Sequence, residues 1–158
     1  MNTPPVIRRY EPGDVHSLIE IYQQAIHVLA APYYNKAQLD AWAPAVMDPA
    51  KWHARVSPQQ TFIADCDGRA GAFIAWDWTG HIDFIFTHPA FARRGLARAL
   101  YGAAEETIRQ QGAPRLFAEV SLAARPFFES RGFVAERERE VDCRGQRLRQ
   151  FIMSKTLA

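Results

Sequence analysis

Two arginines and a pair of small residues, Arg93-Arg94-Gly95-Leu96-Ala97-Arg98, stand where the apolar run Ile82 to Thr87 gives way to a helical pattern. A basic turn that opens a helix points several backbone N–H groups outward, at the end where the macrodipole favours an anion. Gly95 removes the side chain where a ligand would approach the backbone, and Ala97 keeps the next inward position small. Arg93, Arg94 and Arg98 add positive charge around the same point. Residues of these types in this order describe a diphosphate pocket. A second chemistry lies just upstream. Asp83 sits inside the apolar strand, where an unpaired carboxylate is costly and is tolerated chiefly at functional sites. Such a group can take a proton, hold a cationic ligand, or order the loop through a buried hydrogen bond.

The elements that must position these groups follow from periodicity. Pro5 to Tyr10 reads as a first strand. Asp14 is a candidate N-cap for a helix carrying Val15, Leu18, Ile19, Tyr22 and Ile26 on one face. Ala30 to Pro58 is rich in Pro, Tyr and Trp, with a short helix expected around Lys36 to Trp42. Thr61 to Asp65 and Ala70 to Trp78 form a hairpin about Asp67-Gly68. A strand follows over His81 to Thr87, then a helix from about Arg94 to Gln110, stopped by Gly112 and Pro114. Leu116 to Ser121 is a fifth strand, and Ala124 to Arg131 a short helix ending at Gly132. Phe133 to Asp142 and Gln146 to Leu157 close as a terminal hairpin, whose alternating Glu136 to Glu140 run reads as a solvated strand with cross-strand ion pairs. The order predicts an α+β fold, with a mixed central sheet and helices on both faces.

Bulk properties bound the function. The 158 residues fit one domain over 1–158, and 48% hydrophobic with 23% charged residues describes a folded globular chain. A formal charge of +2 gives no argument for nucleic-acid or membrane partners. No apolar run reaches membrane length, and Met1 to Pro5 lacks a signal-peptide core, so the expected location is cytoplasmic. Cys66 and Cys143 are too few for a disulfide framework or a zinc site, and no metal is expected. Gly-Lys-Ser/Thr is absent, which excludes a P-loop nucleotidase.

The segment Ile82 to Leu100 resembles the acyl-CoA pyrophosphate loop of the GNAT N-acetyltransferase superfamily, usually Gln/Arg-x-x-Gly-x-Gly/Ala after a strand ending in a His-Pro-like pair. His88-Pro89, Gly95 and Ala97 match, and Ala92 stands at the Gln/Arg position. Ser121 to Phe133 resembles the family's Asn-x-x-Ala-x-x-x-Tyr-x-x-x-Gly-Phe segment, with matching spacing from Ala124 to Gly132. The resemblance covers nearly the whole chain, most closely Thr61 to Phe133. It implies the GNAT acyl-CoA fold, splayed between its fourth and fifth strands, with acetyl-CoA as cosubstrate and a primary amine as acceptor. The cofactor contacts it implies are the loop Ala92, Arg93, Arg94, Gly95, Leu96, Ala97 and Arg98, the backbone of Ile85, Phe86 and Thr87, and Ser121 and Phe128 opposite. A homodimer is one assembly the family uses.

Catalytic expectations rest on the same resemblance. Asp83, directly or through water, takes the amine proton. Ser121 stands where the family has Asn, and Phe128 where many relatives have the Tyr that protonates the departing thiolate. Phe cannot donate a proton. A thiol pKa of about 8.5 lets a thiolate leave unprotonated; the favoured alternative is a relay through Ser121 or a water beside it. Tyr33, Tyr34, Trp42, Trp76 and Trp78 are the substrate-contact candidates, because aromatic walls with Asp83 suit a cation; the alternative is that Tyr33, Tyr34 and Trp42 cover one edge of the core. His81 at the strand start is expected to be exposed, His88 structural, and His27 a satisfied core residue. Neither cysteine lies near a His in sequence, so an acyl-enzyme is not expected and direct transfer in a ternary complex fits better. The alternative, given Ala92, Ser121 and Phe128, is a module that binds acyl-CoA with little or no catalysis.

Overall fold

Two antiparallel sheets, meeting at a single point, place the site. The computed structural model describes residues 3–157; Met1 and Asn2, part of the opening segment read above, lie outside them. The first sheet has the order β1 (Val6–Arg9), β2 (Gln60–Cys66), β3 (Arg69–Trp76), β4 (Ile82–Thr87). The second has the order β5 (Arg115–Ser121), β7 (Gln146–Thr156), β6 (Val134–Cys143). One parallel bridge, His81 with Phe117, joins them. The mixed character expected of the sheet is confined to that bridge. Beyond it the edges of β4 and β5 have no strand partner in each other, and a gap opens between them.

Gly80 makes the junction. Its carbonyl accepts from the Phe117 amide at 3.0 Å. Its φ is +95°, and a Cβ there would collide with the Arg115 carbonyl. Only glycine satisfies both conditions. The turn before it is held by Asp77, whose Oδ1 accepts from the amide and hydroxyl of Thr79. That turn ends β3 at Trp76, two residues before the hairpin pattern suggests.

β3 is buried on both faces, and the two-residue period divides its side chains between two cores. Ala72, Ile74 and Trp76 pack with Leu96, Leu100, Ala104 and Ile108 of α4 (Leu96–Gln110). Phe73 and Ala75 face α1 (Val15–Gln24) and α3 (Pro49–Val56), against Leu18, Ile21, Trp52 and Val56. Each fully buried Leu, Ile, Val or Phe side chain among them stabilises by about 1.5–3 kcal/mol. Helices therefore cover both faces, as the element order predicts. α2 (Lys36–Trp42) lies where expected and opens with a capping box of Asn35 and Gln38. α5 (Arg125–Ser130) follows β5. Two features were not anticipated: α3 itself, and a π-turn, Ala25–Leu29, that continues α1.

Candidate active site

The basic turn is built on β3. His88 N–H donates to Gly71 O at 2.8 Å, and His88 Nδ1 accepts from the Ala90 amide at 3.0 Å. A 3-10 turn, Pro89–Phe91, then drops Phe91 into the core. A Cβ on Gly71 would stand 2.7 Å from Leu96 and 2.9 Å from Phe91, so the missing side chain lets the loop seat. Arg93 and Gly95 take positive φ, +63° and +81°, and Gly95 caps α4. The amides of Arg93 through Arg98 donate to no acceptor among the described residues. Nothing approaches within 4 Å of where a Gly95 Cβ would stand. A row of free donors at a fifteen-residue helix start is a place where an anion such as a diphosphate can be held.

Side chains of the turn divide. Arg93 and Arg98 are exposed beside the amides. Arg94 turns back over the Phe91 ring, 5.4 Å from its centroid, and reaches Asp67 at 3.4 Å. Leu96 is buried and offers only its amide. The Ala92 amide already donates to Pro89 O.

From this turn an apolar channel of about 210 Å³ runs into the gap between the sheets. Ile85, Phe86, Thr87 and Ala97 form one side, and Ser121, Ala124 and Phe127 the other. Residues of the π-turn, Ile26 and Leu29, roof it. A wider cleft of about 490 Å³, as apolar as it is polar, opens from the far side of the gap, walled by Tyr22, Tyr34, Trp42, Phe84 and Phe86. Trp42, Phe86 and Ser121 line both spaces. The two cavities therefore lie against each other at those three residues.

Charged groups in the cleft differ in their partners. Asp83 accepts two bonds from Arg55, at 2.9 and 2.7 Å, and one from Gln59 at 2.8 Å. Burial pushes its carboxyl up, but these hydrogen bonds prevail and hold it below the usual carboxylate range. Arg55 is fixed in its charged form by Asp83 and lies 4.5 Å over the Phe84 ring. The expectation for Asp83 as a proton acceptor thus meets a carboxylate already occupied by a bidentate arginine. Glu119 has no arginine: its Oε2 lies 2.6 Å from His81 Nε2. His81 is not exposed as expected; its ring stacks on Phe117 at 5.1 Å beside the sheet junction.

Ser121 Oγ accepts from the Ala124 amide at 3.1 Å, which leaves its own proton free to be donated. Phe128, only 3% exposed, packs edge-on against Phe133 and borders the small void that Ser121 and Glu119 also line. Tyr34 donates to Arg149 O at 2.7 Å and accepts from the Leu122 amide at 2.9 Å, fastening β7 to the end of β5. Its ring and that of Trp42 line the cleft. The other three aromatic candidates do not. Trp76 is 1% exposed and stacked on Phe62 in the α4-side core, because its place in β3 puts it in phase with Ile74. Tyr33 and Trp78 are 48% and 57% exposed, outside the cleft. His27 is satisfied by Ala43 O at 2.7 Å. Cys143 borders the cleft, with its Sγ 3.4 Å from Ala41 O. Among the described residues, no three His, Cys, Asp or Glu side chains converge to hold a metal ion, and no helix is long and apolar enough to cross a membrane.

Arg55, Glu119, Arg139 and Gln150 are site residues that pattern reading passed over. Glu119 carries a signal: the alternation Phe117-Glu119-Ser121 sets its side chain on the Ser121 face.

Known proteins resemble this chain in sequence and fold. A model of the GNAT acetyltransferase domain matches residues 30–157. The uncharacterized N-acetyltransferase YafP of Escherichia coli (strain K12) is 32% identical over 147 residues, 93% of each chain. A GCN5-related N-acetyltransferase from Rhodopseudomonas palustris, described as "Aminotransferase, Class-II", superposes with a TM-score of 0.94 at 34% identity, covering 99% of this chain and 98% of that one. PaiA N-acetyltransferase from Thermoplasma acidophilum, solved in complex with coenzyme A, shares the fold with a TM-score of 0.78 at 18% identity, covering 98% and 100%. The family model spans most of the chain and two of these relatives exceed 30% identity over nearly their whole length: the chain belongs to the GNAT acetyltransferase family.

Proposed function

We propose that this chain, acting as one domain, transfers the acetyl group of acetyl-CoA to a primary amine by direct attack in a ternary complex. The observation that carries the reading is that two cavities lie against each other at Trp42, Phe86 and Ser121. The channel leads to the row of free amides, and the cleft leads to solvent. The diphosphate rests on the amides of Arg93 to Arg98, with Arg93 and Arg98 beside it. The unpaired edge of β4 at Ile85, Phe86 and Thr87 faces the pantetheine arm. The thioester then lies at the junction, open to an amine in the cleft.

Glu119 is the proton acceptor in this reading. It faces the junction without an arginine, whereas Asp83 is held as a carboxylate by Arg55 and is a weaker base. Asp83 fixes Arg55 and shapes the cleft floor. The cationic acceptor first gives one proton to Glu119, which passes it to solvent; the neutral nitrogen then bonds to the carbonyl carbon, and collapse of that adduct restores the carbonyl and breaks the C–S bond. Ser121, whose proton is free, relays the nitrogen's second proton to the departing sulfur, giving up its own and taking that one back, directly or through water. Glu119 favours a cationic acceptor on arrival, beside the rings of Trp42 and Phe86.

CoA release measured against a panel of amines tests this reading. Thiol release that depends on both acetyl-CoA and amine supports it. A folded chain that binds acetyl-CoA yet releases no CoA with any amine is a binding module.

A further inference from the structure

Three arginines line the cleft, and two already have carboxylates. Arg55 holds Asp83, and Arg149 holds Glu138. Arg139 has none among the described residues. Its Nη2 reaches only Gln150 Oε1, at 3.4 Å, and its Nε is buried with no partner. A buried, unsatisfied guanidinium N–H is costly unless something else accepts from it.

Sheet register says where that something sits. Ser121 of β5 pairs with Gln150 of β7, and Gln150 pairs with Arg139 of β6. Directly opposed residues share a face, so Ser121, Gln150 and Arg139 form one row across the cleft wall, with Glu119 two residues from Ser121 on the same face. Two strand spacings separate the ends of the row, roughly 10 Å between Cα atoms. A long arginine side chain and a small zwitterion together fill that span. One end of the row offers Glu119 and the acyl junction, the other an uncompensated fork of donors that matches a carboxylate.

Resting on the acetyl-transfer reading, we propose that the acceptor is an amine carrying a carboxylate close to the reacting nitrogen, as in a free amino acid, and that Arg139 with Gln150 recognises that carboxylate. The amine is directed to Glu119 and the carboxylate to Arg139. An amine without the second charge leaves Arg139 unpaired.

The test compares the protein amino acids with their amides, which keep the α-amine and lose the carboxylate. For the best acceptor, kcat/KM should exceed that of its amide by at least about tenfold. Arg139→Gln should collapse that ratio towards one through KM, and Arg139→Lys should restore part of it. A binding arm stands apart from turnover: in calorimetry on CoA-loaded protein, the acid should bind and the amide should bind at least about tenfold more weakly. Transfer to amides as readily as to acids, or a ratio indifferent to Arg139, overturns the carboxylate assignment while leaving acetyl transfer standing. Absence of transfer to any amine overturns acetyl transfer, and the binding arm then decides the carboxylate site alone: equal binding of acid and amide, or binding of neither, removes it.

Discussion

Asp83 and Glu119 share one cleft but differ in what holds them, Arg55 for the first and His81 for the second, and the proposed reaction assigns their roles by that difference. Glu119→Gln keeps the shape and loses the proton acceptor, so kcat/KM for the amine should fall about a hundredfold while acetyl-CoA affinity is retained. Steady-state kinetics beside calorimetry reads both, and equal activity would return the role to another group. Asp83 should show itself in stability. Its folded carboxyl lies below the ordinary Asp value of about 3.9, as does that of Asp14, held down first by its hydrogen bonds from Arg8. A depressed carboxylate contributes stability above its unfolded pKa and loses it as pH falls through the folded value. The protein should therefore weaken as pH drops below about 4, and Asp83→Asn should make that fall shallower; urea midpoints across acid pH measure it. Asp83 was legible in the sequence because a carboxylate in an apolar run is conspicuous. Its partner was not, since Arg55 lies twenty-eight residues upstream on a helix the pattern did not reveal.

At the scale of elements, the basic turn was the most legible part of the chain, because its physics is local: a strand end, a glycine at positive φ and a helix start. α3 was missed although its signal is present. Asp48 caps it through the Ala50 amide at 2.9 Å, and Pro49 occupies its first turn, the pair expected at a helix start. The surrounding Pro and aromatic residues concealed that pair. Two glycine substitutions probe the loop. Gly95→Glu sets a negative charge on the free amides in a left-handed position, and acetyl-CoA binding by calorimetry should be lost. Gly71→Ala leaves the loop sequence intact but presses on Leu96 and Phe91, so acetyl-CoA affinity should fall with only a modest drop in Tm. Normal affinity in Gly95→Glu would remove the diphosphate from this turn.

For the molecule as a whole, function depends on two sheets held together at one place and apart everywhere beyond it. Periodicity placed every strand to within two residues or so, and resemblance alone supplied the splay, since the failure of β4 and β5 to pair is a long-range property with no local signature. Gly80 is the structural cause of the join. Gly80→Ala, forced against the Arg115 carbonyl at positive φ, should destabilise the fold by about 2–3 kcal/mol in denaturant unfolding, whereas Gly102→Ala on α4, where nothing lies near the added Cβ, should be neutral or stabilising. The most direct test of the central claim is a crystal structure with acetyl-CoA bound. The diphosphate should accept from the Arg93 to Arg98 amides, and the thioester carbon should lie among Phe86, Trp42 and Ser121, facing Glu119. A thioester pointing out of the cleft, or a diphosphate seated away from the turn, would contradict it.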